Sequence, residues 1–165
     1  MDLVHQDKQV SNGNVELNEG QKFIFQHPFT MLVAAPTGGG KTEWVKTLLQ
    51  NAKRKISPPP ARILWLYTQM QPIYEELKKS LPYIEFFRGI PPEIEEDDFF
   101  DPTISNLVII DDLMHEATSN TSVCNLFTRG SHHRNLSVVC MLQNLYPKGK
   151  ESRTMALNSS YLVIF

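Results

Sequence analysis

The apolar run Met31-Leu32-Val33-Ala34 passes without a break into Ala35-Pro36-Thr37-Gly38-Gly39-Gly40-Lys41-Thr42. Few short stretches constrain a fold so tightly. A buried strand must end, a glycine-rich turn must follow, and a helix must begin close to Lys41. Gly38, Gly39 and Gly40 have no Cβ, so the backbone can turn sharply and approach a ligand closely. Consecutive N–H groups in such a turn, with the positive end of the next helix, favour phosphate. Lys41 is then placed for the β- and γ-phosphates of a nucleotide, and the Thr42 hydroxyl for Mg²⁺. The strict pattern is Gly-x-x-x-x-Gly-Lys-Ser/Thr, and Ala35 takes its first Gly position. Alanine is the smallest replacement, and that position closes the strand rather than touching the γ-phosphate.

The rest of the chain alternates strand and helix patterns. Thr30 to Ala35 is the first core strand, with a short edge strand expected at Phe23-Ile24-Phe25. A helix is predicted from Glu43 to about Lys55, with Trp44, Val45, Leu48, Leu49 and Ala52 on one stripe. Lys53, Arg54 and Lys55 close it, either as compensation of the helix dipole or as a DNA contact. Ser57-Pro58-Pro59-Pro60 stops it. Arg62 to Tyr67 reads as a second buried strand, and Pro72 opens a helix to Leu81. A short strand is expected at Glu85 to Phe87, then an acidic, Pro-rich solvated loop over residues 88–106. Leu107 to Ile110, Leu136 to Leu142 and Tyr161 to Phe165 are three further strands, with short helical segments before the last two. This alternation predicts an α/β fold: a mainly parallel central sheet flanked by helices, with ligands at the carboxyl ends of the strands.

A second motif falls where the first needs it. Leu107-Val108-Ile109-Ile110 buries a strand, and Asp111 and Asp112 emerge at its end. Asp111 is the candidate Mg²⁺ carboxylate, and Asp112 the candidate base for an attacking water. A strand and helix lie between the two motifs, an order that suggests nucleotide hydrolases with an additional central strand and a carboxylate base. The strand Leu136 to Leu142 ends in Gln143 and Asn144, and Gln143 is the candidate sensor of the γ-phosphate or the lytic water.

Thr128 to Asn135 contains Arg129 and Arg134 around His132 and His133. Zinc would need a third ligand nearby, and the stretch offers none. Three readings stay open: an arginine finger on a neighbour's nucleotide, a phosphate or DNA contact, and a capped, hydrogen-bonded loop. Lys148, Lys150 and Arg153 are equally compatible with a DNA backbone and with a solvated loop.

The net charge of −2 gives no overall basic field for nucleic acid, so any DNA contact must be local or arise in an assembly. Cys124 and Cys140 lie in apolar surroundings without metal spacing and read as reduced thiols. No signal peptide and no run of transmembrane length is present in the 165 residues. The expectation is a soluble protein without a membrane partner, intracellular or packaged in a particle. Residues 1–22 are polar and read as a mobile arm, with the globular domain over 23–165.

With these motifs assembled, the chain resembles the packaging ATPases of large DNA viruses and virus-like transposons, the poxvirus-type branch of the FtsK–HerA superfamily. The resemblance rests on His27 to Val33, the phosphate loop, Ile109 to Met114, Leu126 to Asn135, Gln143-Asn144-Leu145 and Asn158 to Phe165. It implies a RecA/FtsK-like core, ATP and Mg²⁺ as cofactors, a ring of identical subunits, and double-stranded DNA driven into a capsid through capsid or portal proteins. It implies Lys41 and Thr42 for nucleotide and metal, Asp111 and Asp112 for metal and base, and Gln143 as sensor. The family continues past Phe165, so a truncated domain is expected. A replicative helicase, an inactive nucleotide-binding remnant and, more remotely, a small-molecule kinase are the competing readings.

Overall fold

The computed structural model describes residues 23–111, 113, 121–130, 133–144 and 150–165, with only the backbone for residues 129–130 and 150–152. The chain enters through the short strand β1 (Phe25–Gln26) and then β2 (Thr30–Ala34). The glycine loop leads into helix α1 (Lys41–Gln50), followed by the single turn α2 (Ala52–Lys55) and β3 (Ile56–Ser57), which pairs with β1. Next come β4 (Arg62–Tyr67), α3 (Pro72–Ser80) and β5 (Ile84–Arg88). A 3₁₀ turn at Pro92–Glu95 precedes β6 (Asn106–Asp111). Helix α4 (Thr121–Asn125) runs into a π-helical turn at Leu126–Gly130, then β7 (Leu136–Leu142), α5 (Lys150–Leu157) and β8 (Tyr161–Ile164).

Six strands form one parallel sheet in the order β5-β4-β6-β7-β2-β8. The order explains why β2, β6 and β7 are buried at every position. Central parallel strands are covered on both faces, and apolar runs without alternation suit that environment. Successive side chains still point to opposite faces. Met31, Val33, Trp65 and Ile109 pack under α1 and α3, while Leu32, Leu66, Ile110 and Cys140 pack under α4, the π-helical turn and Met155 of α5. The sheet therefore divides two apolar cores and carries all its strand ends to two opposite edges.

Two expectations need correction in detail. The helix expected to run from Glu43 to Lys55 is interrupted at Asn51, which leaves helical geometry at φ −107°. Its side-chain amide donates to the Thr47 carbonyl at 2.8 Å and so competes with the helix for that acceptor. The acidic stretch is not wholly solvated. Glu93, Glu95 and Glu96 are exposed, but Ile94 and Phe100 are 1% exposed in the second core and anchor the loop there. Among the described residues no helix is long and apolar enough to cross a membrane.

Candidate functional site

Parallel pairing puts the carboxyl ends of all six strands on one edge, where Ala34 lies beside Leu142 and Ile164, and Tyr67 beside Asp111. The glycine loop leaves β2 at this edge. The Ala35 N–H donates to the Leu142 carbonyl at 3.1 Å, so the loop starts from the β7 end as well as from its own strand. Gly38 and Gly40 stand at φ +76° and +86°, where a Cβ is strained. At Gly39 the reason is space: a Cβ would lie 2.8 Å from Ala35 Cβ and 2.9 Å from the Pro36 carbonyl oxygen. Ala35 itself has no positive φ, which accounts for alanine at a position usually held by glycine.

Helix α1 starts directly from this loop. Gly40 is its N-cap and no side chain caps it, so its first N–H groups are left to the loop concavity. Lys41 Nζ donates to the Ala35 and Pro36 carbonyls at 2.7 and 3.1 Å, which holds its ammonium over the loop. Thr37, Gly38, Lys41 and Thr42 form one wall of a cleft of about 150 Å³. The other walls are Asp111 from β6, Met141 and Gln143 from the end of β7, and Gln71 from the β4–α3 loop. A wider trough of about 470 Å³ shares the loop and Gln71 and runs between the starts of α1 and α3 to Glu76. Glu76 accepts from Lys46 Nζ at 2.5 Å and is held below the usual carboxylate range by that bond.

Asp111 is only 3% exposed, and Tyr74 Oη donates to its Oδ2 at 2.6 Å. The Cys140 thiol on β7 is pushed up to about 12, by burial first and by the Asp111 charge second, so it stays protonated and inert.

The structure therefore brings Thr37, Gly38, Lys41 and Thr42 of the loop, Asp111 and Gln143 to one cleft, with Gly39 and Gly40 on the adjoining trough and Ala35 and Pro36 lining neither. Asp112 lies outside the described residues, as do the 1–22 arm, Ser131, His132, Lys148 and Gly149. The Arg129 backbone lies in the π-helical turn, and its side chain is also outside the described set. Arg134 precedes β7 and so stands at the opposite edge of the sheet. It donates to the Ile94 carbonyl at 3.0 Å and to the Glu95 carbonyl, and lies 3.5 Å from Asp97. Its neighbour Asn135, at φ 49°, donates to the Ile104 carbonyl at 2.8 Å and meets His27 Nε2 at 2.9 Å. Within one chain this block joins the acidic loop to β7 and not to the cleft.

Gln71, which lines the cleft, and the buried Tyr74, which hydrogen-bonds Asp111, are absent from the sequence reading. Gln71 is a loop residue before the helix-starting Pro72, and Tyr74 an aromatic within an amphipathic pattern. The available signal was position: residues just after a parallel strand reach the ligand edge.

No family model and no curated protein matches the chain. Among solved structures, the cytoplasmic domain of EssC superposes with a TM-score of 0.61 at 13% identity, covering 82% of this chain and 30% of that one. At this identity the likeness is one of fold, and the chain spans under a third of the length of that protein.

Proposed function

We propose that this chain is a P-loop ATPase domain with a RecA/FtsK-like core, and that it serves as a motor on double-stranded DNA. One observation carries the reading. Three neighbouring strands deliver Lys41 and Thr42, Gln143 and Asp111 to the same cleft, with β7 between the loop strand and the Asp111 strand. The interposed β7 supports the reading of a nucleotide hydrolase with an additional central strand. The fit to nucleotide and metal rests on the cradle and the donors. A Cβ at Gly39 would collide with its own loop, and the first N–H groups of α1 carry no side-chain cap. Thr42 and Asp111 offer hard oxygen donors. Mg²⁺ takes few protein ligands and completes its shell with water and phosphate oxygens.

Mg-ATP, when bound, supplies the phosphoanhydride to be cleaved and positive charge against its oxygens. The chain does the rest. The loop N–H groups and Lys41 Nζ hold the phosphates in line, and Gln143 orients the attacking water. Asp112 takes the proton from that water, and Asp111 and Thr42 hold the metal. The arginine donor to a neighbour's nucleotide in such a ring is unassigned between Arg129 and Arg134. Packaging of viral DNA into capsids, through capsid or portal partners, follows from the sequence resemblance alone.

The test is steady-state ATP hydrolysis with and without double-stranded DNA, with Lys41→Ala as the blank. DNA-stimulated turnover in wild type alone supports the motor. Binding of Mg-ATP without turnover points instead to a nucleotide-binding remnant, and strand separation to a helicase.

A further inference from the structure

Asp111 is more tightly governed than the proposed hydrolysis requires. Its partner Tyr74 reaches it from α3 and is 0% exposed. The phenol ring is packed against Trp65, Tyr67 and Phe86, with centroids 5.5, 5.3 and 5.4 Å away. A tyrosine has two side-chain torsions, and rings on several sides leave this hydroxyl one place to be. A donor at 2.6 Å from a carboxylate oxygen is a short, charge-assisted hydrogen bond. One oxygen of the carboxylate is thus held from a helix that neither of the two sequence motifs includes. The same helix is tied to α1 by Lys46–Glu76 and presents Gln71, at its N-cap, to the cleft.

We propose that Tyr74 is a positioning residue for the metal site: its hydroxyl restrains the Asp111 carboxylate, which lines the same cleft as Thr42. The proposal rests on the reading of Asp111 as the Mg²⁺ carboxylate. Groups that orient a metal ligand typically contribute 10- to 100-fold to metal affinity. Tyr74→Phe removes the hydroxyl and keeps the packed ring, so it separates orientation from packing.

The readout is binding of a fluorescent ATP analogue during a Mg²⁺ titration, with a metal-free series in parallel. In Tyr74→Phe the Mg²⁺ midpoint should rise about tenfold, with metal-free nucleotide affinity unchanged. In an Asp111→Asn background, Tyr74→Phe should cause no further shift. A purely structural tyrosine would instead lower the melting temperature and weaken metal-free binding together. An unmoved midpoint in Tyr74→Phe overturns the proposal, as does a shift that persists in the Asp111→Asn background. Wild type whose nucleotide affinity ignores Mg²⁺ would remove the metal site itself. That outcome is distinguishable, since it appears before any variant is made.

Discussion

The two edges of the sheet make an instructive pair. At the amino edge, His27, Ser137, Asn135 and Asn106 crowd together with Arg134 nearby. At the carboxyl edge stand the glycine loop, Gln71, Asp111 and Gln143. Both are polar and both draw residues from several strands. They differ in where the donors point. At the amino edge Ser137 Oγ accepts from the Phe29 N–H at 3.0 Å, and Asn106 Nδ2 donates to the Asp101 and Ile104 carbonyls at 2.8 and 3.0 Å. The network closes on itself apart from Asn106 Oδ1, which has no hydrogen-bond partner among the described residues. At the carboxyl edge a helix begins without a side-chain cap, and its first N–H groups open into a cleft. A closed network contributes stability, and an open one is available to a ligand.

Substitutions at the two edges should therefore separate cleanly. The largest effect is expected for Lys41→Ala, which should lower ATP turnover by about 100-fold or more with little change in melting temperature. Its bonds to Ala35 and Pro36 are local and partly exposed, so the fold has little to lose. A melting temperature that collapses along with turnover would mean that the carboxyl edge, too, is mainly structural.

Ser137→Ala should do the reverse. It strands the buried Phe29 N–H and one face of His27, at a cost of about 1–3 kcal/mol in a denaturant titration. Nucleotide affinity should stay at the wild-type value. A change in affinity without loss of stability would break the contrast between the edges.

Gly39→Ala sharpens it within the loop. The added Cβ meets Ala35 Cβ at 2.8 Å, an overpacking expected to cost about 1–3 kcal/mol, read as roughly a tenfold or greater loss of ATP affinity. Ala35→Gly in the same chain removes one of the two close contacts and should recover part of that loss. The Pro36 carbonyl, at 2.9 Å, remains in the way. Absence of any recovery would show that the Ala35 contact is not what excludes a side chain at Gly39.

The elements and both apolar faces were legible because central strands announce themselves as unbroken apolar runs, as Leu107 to Ile110 and Leu136 to Leu142 do. The sheet order was legible only in outline. That β7 lies between β2 and β6 is set by pairings such as Leu32 with Cys140, more than a hundred residues apart, and no local pattern encodes them. The acidic loop misled because charge dominates its composition, while Ile94 and Phe100 fix its path. Tyr74 was hidden because an aromatic beside Ile73 and Leu77 reads as core. It is core, and its hydroxyl has a second task. For the Arg134–Asn135 block residue type left an arginine finger, a phosphate or DNA contact and a capped, hydrogen-bonded loop all open. Its place just before a strand, in a parallel sheet, puts it at the edge away from the cleft.

The smallest expected effect is a pH dependence confined to the amino edge. Asn135 Nδ2 donates to the Ile104 carbonyl, which leaves Asn135 Oδ1 to accept from His27 Nε2. Neutral His27 then has Nδ1 as an acceptor for the Ser137 hydroxyl at 2.5 Å. A second proton would set a donor against that hydroxyl. Burial lowers the His27 pKa below its ordinary 6.5, and the bonds to Asn135 offset part of that shift. The sign follows from which state binds the proton first. As pH falls through 6.5 the unfolded chain protonates while the folded chain resists, so stability falls with pH. The contribution is complete above 6.5 and is lost progressively toward the lower, folded value. Denaturant midpoints measured from about pH 8 to about pH 5 should show this slope in wild type. His27→Gln should flatten that portion and leave metal-free nucleotide affinity unchanged. Equal slopes in the two proteins would remove His27 as the titrating group, and with it the claim that the amino edge is closed around a neutral imidazole.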